Sequence, residues 1–153
     1  MTIKKTVNVK FNSNFKLSGT NDDAMYYIDW SAMLKNDGQH YSVVFTYISQ
    51  AQLQNVNNNT LIASVYTNIY GENFIANSYG ANVTLNIGSL TVINSNSLYA
   101  DTNTNAPIFM YGRPNNNNVN IQIRNNSNPP TVWLDPSGAI NGNYILTLSF
   151  TEF

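Results

Sequence analysis

The sequence predicts an all-β protein, an antiparallel β-sandwich built as a single jelly roll of about eight strands. Short runs that alternate apolar and polar residues recur along the chain, and turns rich in Gly, Pro and Asn separate them. No segment of ten residues has a helical period. The 153 residues are a single-domain length, and eight strands in a chain of this size suit a jelly roll. We therefore expect residues 1–153 to form one jelly-roll domain.

The first predicted strand occupies residues 1–12, where apolar side chains alternate with polar ones from Ile3 to Phe11. Four lysines fall within the first sixteen residues, namely Lys4, Lys5, Lys10 and Lys16. The segment is either a sheet-edge strand protected by lysine or a basic arm that touches an acidic partner. The edge strand is the preferred interpretation, because lysine is common on exposed sheet edges.

A β-hairpin is predicted between residues 26 and 48. Its arms are residues 26–30 and 40–48, and the intervening Asp37-Gly38 provides the positive φ that a tight reversal needs. The second arm carries apolar residues on both faces, with Tyr41, Val43, Phe45 and Tyr47 on one and Val44 and Ile48 on the other. A strand that is apolar on both faces lies inside a sandwich or against a neighbouring subunit, so we expect self-association.

Asp29 and Trp30 stand next to each other before a possible single helical turn at residues 31–34. An indole beside a carboxylate can form a sugar-binding platform, and Trp30 and Trp133 are the two candidate aromatic platforms. The alternative is a core indole beside a capping carboxylate. We prefer the alternative for Trp30 and expect it to be buried.

Further strands are predicted along the rest of the chain, at residues 61–66, 83–93, 108–111, 119–124, 131–134 and 143–153. Gly88 in the middle of its run indicates a bulge or bend. Residues 71–81 form a predicted loop that contains Phe74, Ile75 and Tyr79. These three residues are candidate interface residues, although the loop could equally fold over its own end of the sandwich.

The residue inventory argues against an enzyme. The chain has no cysteine and a single histidine, His40, so we expect no thiolate or two-histidine metal site, no cofactor and no catalytic triad. Carboxylates such as Asp29, Asp101 and Asp135 could assemble into a glycosidase pair, but turn and capping roles are preferred.

The net charge of −1 provides no basic surface for nucleic acid. No apolar run is long enough for membrane insertion, and the N-terminus lacks a signal-peptide pattern, so we expect a protein that is not secreted.

Arg113 lies between Gly112 and Pro114 at the end of a short predicted strand. Pro114 biases Arg113 towards extended geometry, so a defined turn aims the guanidinium. We expect it to pair with Asp101 or with an acidic group on a neighbouring subunit, which makes Arg113 a candidate interface residue. The alternative is a solvated surface arginine.

Three stretches resemble one protein family: Ser97 to Pro114, Tyr27 to Ser31, and Asn143 to Phe150. They are similar to small minor capsid proteins of large icosahedral double-stranded DNA viruses of algae and other protists. The similarity spans roughly residues 26–153 and leaves the lysine-rich start outside. It implies a structural virion protein with no catalytic residues, a minor capsid or vertex (penton-like) component.

Two functions follow as expectations. The first is a capsid building block, assembled in the host cytoplasm and located in the virion. Its partners are copies of itself, as a trimer or pentamer, and the major and minor capsid proteins. The second is a lectin-like or C1q/TNF-like trimeric binding module for host attachment, with Trp30 or Trp133 as the stacking surface.

Overall fold

A computed structural model describes residues 4–35, 38–49, 63–69, 77–78, 83–93, 97–103, 105–125 and 143–153. Within these residues there are eleven strands, one short helix and one 3-10 turn. The strands are β1 Thr6–Asn12, β2 Ser18–Thr20, β3 Asp23–Tyr27, β4 His40–Ser49, β5 Ala63–Thr67, β6 Asn77–Ser78, β7 Val83–Ile93, β8 Ser97–Ala100, β9 Ile108–Tyr111, β10 Asn118–Asn125 and β11 Tyr144–Glu152. The helix α1 is Trp30–Met33, and the 3-10 turn is Ser13–Phe15. The all-β prediction is confirmed.

All the strand pairs are antiparallel, and they form a curled half-barrel in the order β1-β11-β4-β8-β7-β5-β10-β3-β2. In addition, β9 pairs with β4 and β6 pairs with β7. The first half of this order, from β1 to β8 together with β9, makes one wall. The second half, from β5 to β2, makes the other. Strand β7 joins the two walls, because its residues 85–90 pair with β5 and residues 91–93 pair with β8.

The bulge predicted at Gly88 is confirmed. The register between β5 and β7 shifts between Val65 and Tyr66, opposite Gly88 and Asn86. A Cβ at Gly88 would stand 2.5 Å from Cε1 of Phe45 and 2.6 Å from Cγ of Asn105. The Asn105 side chain occupies the space beside Gly88. Its Oδ1 accepts a hydrogen bond from the N–H of Ser89 at 2.9 Å, and its Nδ2 donates to the carbonyl of Ser89 at 3.0 Å. Glycine is therefore required here by the close approach of two side chains.

The predicted hairpin at residues 26–48 is wrong. Strand β3 pairs with β2 and β10, whereas β4 pairs with β11, β8 and β9 in the opposite wall. The N–H of Ile28 donates to the carbonyl of Asn117 at 2.9 Å, and α1 then buries Trp30 in the core. The chain thus crosses between walls instead of reversing within one. Gly38 has the expected positive φ of 83°, but its turn leads into the other wall.

The core lies between the two walls and is lined by the inward-facing side chains of each. On β11, Tyr144, Leu146, Leu148 and Phe150 are at most 3% exposed, which confirms the alternation predicted for the last strand. On β10, Val119, Ile121 and Ile123 are fully buried. These alternating strands remove their apolar faces from water and hold the walls together.

Strand β1 lies at one end of the strand order and pairs with β11 from Thr6↔Thr151 to Asn12↔Ile145. Residues 6–12 of the first predicted segment therefore form a strand at one end of the described strand order. Lys10 is exposed on this edge. The described helix is too short to span a membrane.

Several predicted features lie outside the described residues. These are the loop residues Phe74, Ile75 and Tyr79, the strand at 131–134 with Trp133, and Asp135.

Candidate functional site

The start of α1 is built by Asp29, whose carboxylate caps the helical turn. Its Oδ1 accepts hydrogen bonds from the backbone N–H of Ser31 at 3.1 Å and from the Ser31 hydroxyl at 2.6 Å. The hydrogen bond from the Ser31 side chain lowers the pKa of Asp29 below its ordinary value. The preferred capping role of this carboxylate is confirmed.

Trp30 points into the core and is only 1% exposed. Its indole N–H donates to the carbonyl of Asn116 at 2.9 Å, and its ring centroid lies 5.6 Å from that of Phe150. A buried indole offers no free face to a sugar ring. Trp30 is therefore not an aromatic platform, and the prediction that it belongs to the core is confirmed.

Arg113 is held by the opposite end of the same helical turn. Its NH1 group donates to the carbonyl of Leu34, the C-cap residue of α1, at 3.2 Å. The expected partner Asp101 instead accepts a hydrogen bond from the N–H of Asn103 at 2.9 Å. The guanidinium thus ties the loop after β9 to α1, and it has a defined position as expected.

A polar cleft of about 290 Å³ lies between α1 and the loop that follows β9. It is lined by Asp29, Trp30, Ser31, Arg113, Pro114, Asn115 and Asn117. One carboxylate and one guanidinium face the cleft, so its formal charge is balanced. The cleft brings together Asp29 and Arg113, whose proximity was not predicted from the sequence.

An exposed group of four rings lies on the outer side of the β4–β9 wall. We call it the aromatic patch, and it consists of His40, Phe109, Tyr111 and Phe153. Tyr111 meets His40 edge-on with centroids 5.1 Å apart, and Phe109 meets Phe153 edge-on at 5.6 Å. His40 also contacts Phe153 at 5.9 Å. The side chains of Phe109, Tyr111 and Phe153 are 52%, 53% and 48% exposed, so about half of each ring remains open to solvent.

Backbone pairing fixes the aromatic patch. Strand β9 places Tyr111 opposite His40 and Phe109 opposite Ser42 on β4. The N–H of Phe153 donates to the carbonyl of His40 at 3.1 Å, and the Gln39 amide donates to the carbonyl of Phe153 at 3.0 Å. Each ring is therefore carried on a backbone that is already hydrogen-bonded.

The aromatic patch was not predicted from the sequence, although part of its signal is present there. Residues 108–111 carry apolar side chains on both faces of a strand, with Ile108 and Met110 on one and Phe109 and Tyr111 on the other. Phe153 has the same strand parity as the solvent-facing residues of β11. Their convergence with His40 depends on long-range pairing.

A buried polar cluster lies at the other end of the core. The hydroxyls of Tyr26 and Tyr144 are 2.8 Å apart, and the rings of Tyr47 and Tyr144 stack at 5.3 Å. Asp22 is completely buried, and within the described residues its Oδ2 has no hydrogen-bond partner, nor does the hydroxyl of Tyr47. Burial raises the pKa of Asp22 and of Tyr144, which favours their neutral forms.

The described residues contain no group of three or more His, Asp or Glu side chains that could hold a metal ion. Architecturally, the chain is an all-β protein with a curled antiparallel sheet. No family model, curated protein or solved structure matches it.

Proposed function

We propose that this chain is a structural virion protein of an icosahedral DNA virus, a minor capsid or vertex component folded as a single jelly roll. The observation that carries the proposal is the nested order in which the strands pair.

If β8 and β9 are counted as one interrupted strand, because both pair with β4, the described part of the chain has eight principal strands: β1, β3, β4, β5, β7, β8/β9, β10 and β11. The first pairs with the last, the second with the seventh, the third with the sixth and the fourth with the fifth. Nested pairing of this kind arises when one long antiparallel hairpin is rolled into two sheets. This nesting supports the jelly-roll part of the proposal, and the jelly roll is an architecture used by viral capsid domains as well as by lectin domains.

The surface chemistry supports a building block. Only 10% of the residues are charged, against about 25% in an ordinary domain. The exposed side chains of Thr6 and Asn8 and the half-buried side chain of Thr151 are polar without charge, and the hydroxyls of Thr6 and Thr151 lie 3.0 Å apart. Burying such groups against a neighbour avoids the large desolvation cost of a charge. The partners under this proposal are copies of the chain, as a trimer or pentamer, and the major and minor capsid proteins.

The lectin-like alternative required an exposed aromatic side chain that could stack on a sugar ring. Trp30, the candidate that lies within the described residues, is buried and cannot serve. The polar cleft at Asp29 and Arg113 is the observation that keeps this alternative open. Binding of glycans on an array, abolished by Asp29→Asn, would favour it over the capsid role.

The decisive experiment is quantitative mass spectrometry of purified virus particles. We expect the chain at a fixed copy number per particle, retained through gradient purification and detergent washing. A non-structural protein of the same virus serves as the control for contamination. If the chain is lost with that control, or if its copy number varies between preparations, the capsid proposal is wrong.

A further inference from the structure

We propose that the outer face of the β1–β11–β4–β9 wall, with the aromatic patch as its anchor, is a docking surface for a second copy of this chain. The capsid role proposed above is the reason for choosing a second copy of the chain as the binding partner, and the proposal rests on that role in no other way. Three independent properties of the face support it, namely its ordered aromatic rings, its lack of charge and its area.

The rings of the aromatic patch already pack on one another within a single chain. Phe109, Tyr111, His40 and Phe153 contact one another at centroid distances of 5.1 to 5.9 Å, and backbone hydrogen bonds hold Phe153 in place. Large aromatic side chains with little freedom left to lose are typical of the residues that dominate binding energy at protein interfaces. About half of the surface of Phe109, Tyr111 and Phe153 remains available for that contact.

The rest of this face carries almost no charge. Its outward side chains are Thr6, Asn8 and Lys10 on β1, Ile145, Thr147, Ser149 and Thr151 on β11, and His40, Ser42, Val44, Thr46 and Ile48 on β4. Among the outward-facing residues of the four strands of this face, Lys10 is the only Lys, Arg, Asp or Glu, and it lies at the edge farthest from β9. Lys4, which is exposed just before β1, continues the outward alternation and lies level with Phe153. Both lysines belong to the edge of the sheet, so a contact between two such faces can leave them at its rim.

The area is sufficient for a specific contact. Strand β4 contains ten residues. The four strands together hold 30 residues, which at about 3.4 Å per residue and about 4.8 Å between strands cover roughly 490 Å². Two copies packed face to face would cover roughly 1,000 Å² in total, about the smallest area expected of a specific interface. A twofold arrangement with its axis near the aromatic patch lets the rings of one copy pack on those of the other. Such a contact joins two chains and is separate from the trimer or pentamer contacts proposed above.

The first test is sedimentation equilibrium of the full chain and two variants. We expect reversible dimers of the unchanged chain and roughly tenfold or greater weakening of dimerisation by Phe109→Ser. Phe15→Ser is the matched control, because Phe15 is 77% exposed but lies outside this face. We expect Phe15→Ser to dimerise like the unchanged chain. Circular dichroism melting of both variants separates lost association from lost folding.

The second test uses the absence of cysteine from the chain. Ser42 lies beside Phe109 on this face, so Ser42→Cys is expected to form a disulfide-linked dimer under mild oxidation. Ser18→Cys is the matched control, because Ser18 is exposed on β2 in the other wall. The two cysteine variants leave the aromatic patch intact, so this test does not depend on the stability of the Phe109 variant.

The outcomes separate this inference from the capsid proposal. A chain that stays monomeric at its highest soluble concentration overturns the docking surface, as does equal cross-linking of the two cysteine variants. If that chain is still found at fixed copy number in virus particles, the capsid role stands and the aromatic patch is not a self-docking surface. A dimer disrupted by Phe109→Ser in a chain absent from particles would support the surface and refute the capsid role.

Discussion

Replacing Trp30 with alanine is expected to destabilise the fold by about 4 kcal/mol. The indole is 1% exposed, and a buried tryptophan removes roughly 200 Å² from water, worth about 5 kcal/mol at about 25 cal/mol per Å². Alanine keeps a small part of that burial, while the hydrogen bond to the Asn116 carbonyl, worth about 1 kcal/mol, is lost. The estimate lies within the range of about 3–5 kcal/mol measured for comparable truncations.

The assay is urea unfolding followed by far-ultraviolet circular dichroism, because the signal then does not depend on tryptophan fluorescence. Met33→Ala is the matched control, since Met33 lies on the same helical turn but is 38% exposed, and we expect it to cost about 1 kcal/mol or less. Trp30→Phe separates packing from hydrogen bonding and should fall between the two. A cost below about 1 kcal/mol for Trp30→Ala would refute the assignment of this residue to the core.

Three further predictions follow from the same structure. Gly88→Ala places a Cβ 2.5 Å from the Phe45 ring and should cost about 1–3 kcal/mol in urea unfolding; an unchanged midpoint would contradict the close approach. Asp22 has a folded-state pKa raised above 3.8 by burial, so its contribution to stability is present below that pH and is lost as the pH rises through the folded-state value. Asp22→Asn should remove this pH-dependent loss of unfolding free energy, measured by unfolding curves from below pH 3.8 to above the folded-state pKa. An unchanged pH profile would show that Asp22 is not the group responsible. Arg113→Lys should lower stability by about 1 kcal/mol, because lysine lacks the fork that reaches the Leu34 carbonyl, and should leave the sedimentation behaviour unchanged. Loss of association at an unchanged melting temperature would instead make Arg113 an interface residue.

Local features of the fold were predictable from the sequence because they depend on neighbouring residues. The alternation of residues 143–153 predicted which side chains of β11 face the core, and all four inward residues are buried. The capping role of Asp29 and the bulge at Gly88 followed from the chemistry of single residues.

The tertiary structure decided which strands pair, and there the hairpin prediction failed. A turn signal at Gly38 is compatible with a return to the same sheet or with a crossing to the opposite one. The choice depends on burying Trp30 against Phe150, a residue 120 positions away in the chain. Periodicity within a strand carries no information about that distant partner.

The candidate sites divide in the same way. The composition of the chain determined that its surface is polar with little charge, and the isolated residues Asp29 and Arg113 could be singled out from their neighbours. The polar cleft and the aromatic patch exist only because the fold brings separate segments together. Phe109, His40 and Phe153 come from three places in the sequence, and long-range pairing of β9 and β11 with β4 makes them neighbours. A surface made by such pairing cannot be read from any one stretch of sequence, since each ring taken alone is an ordinary exposed aromatic residue.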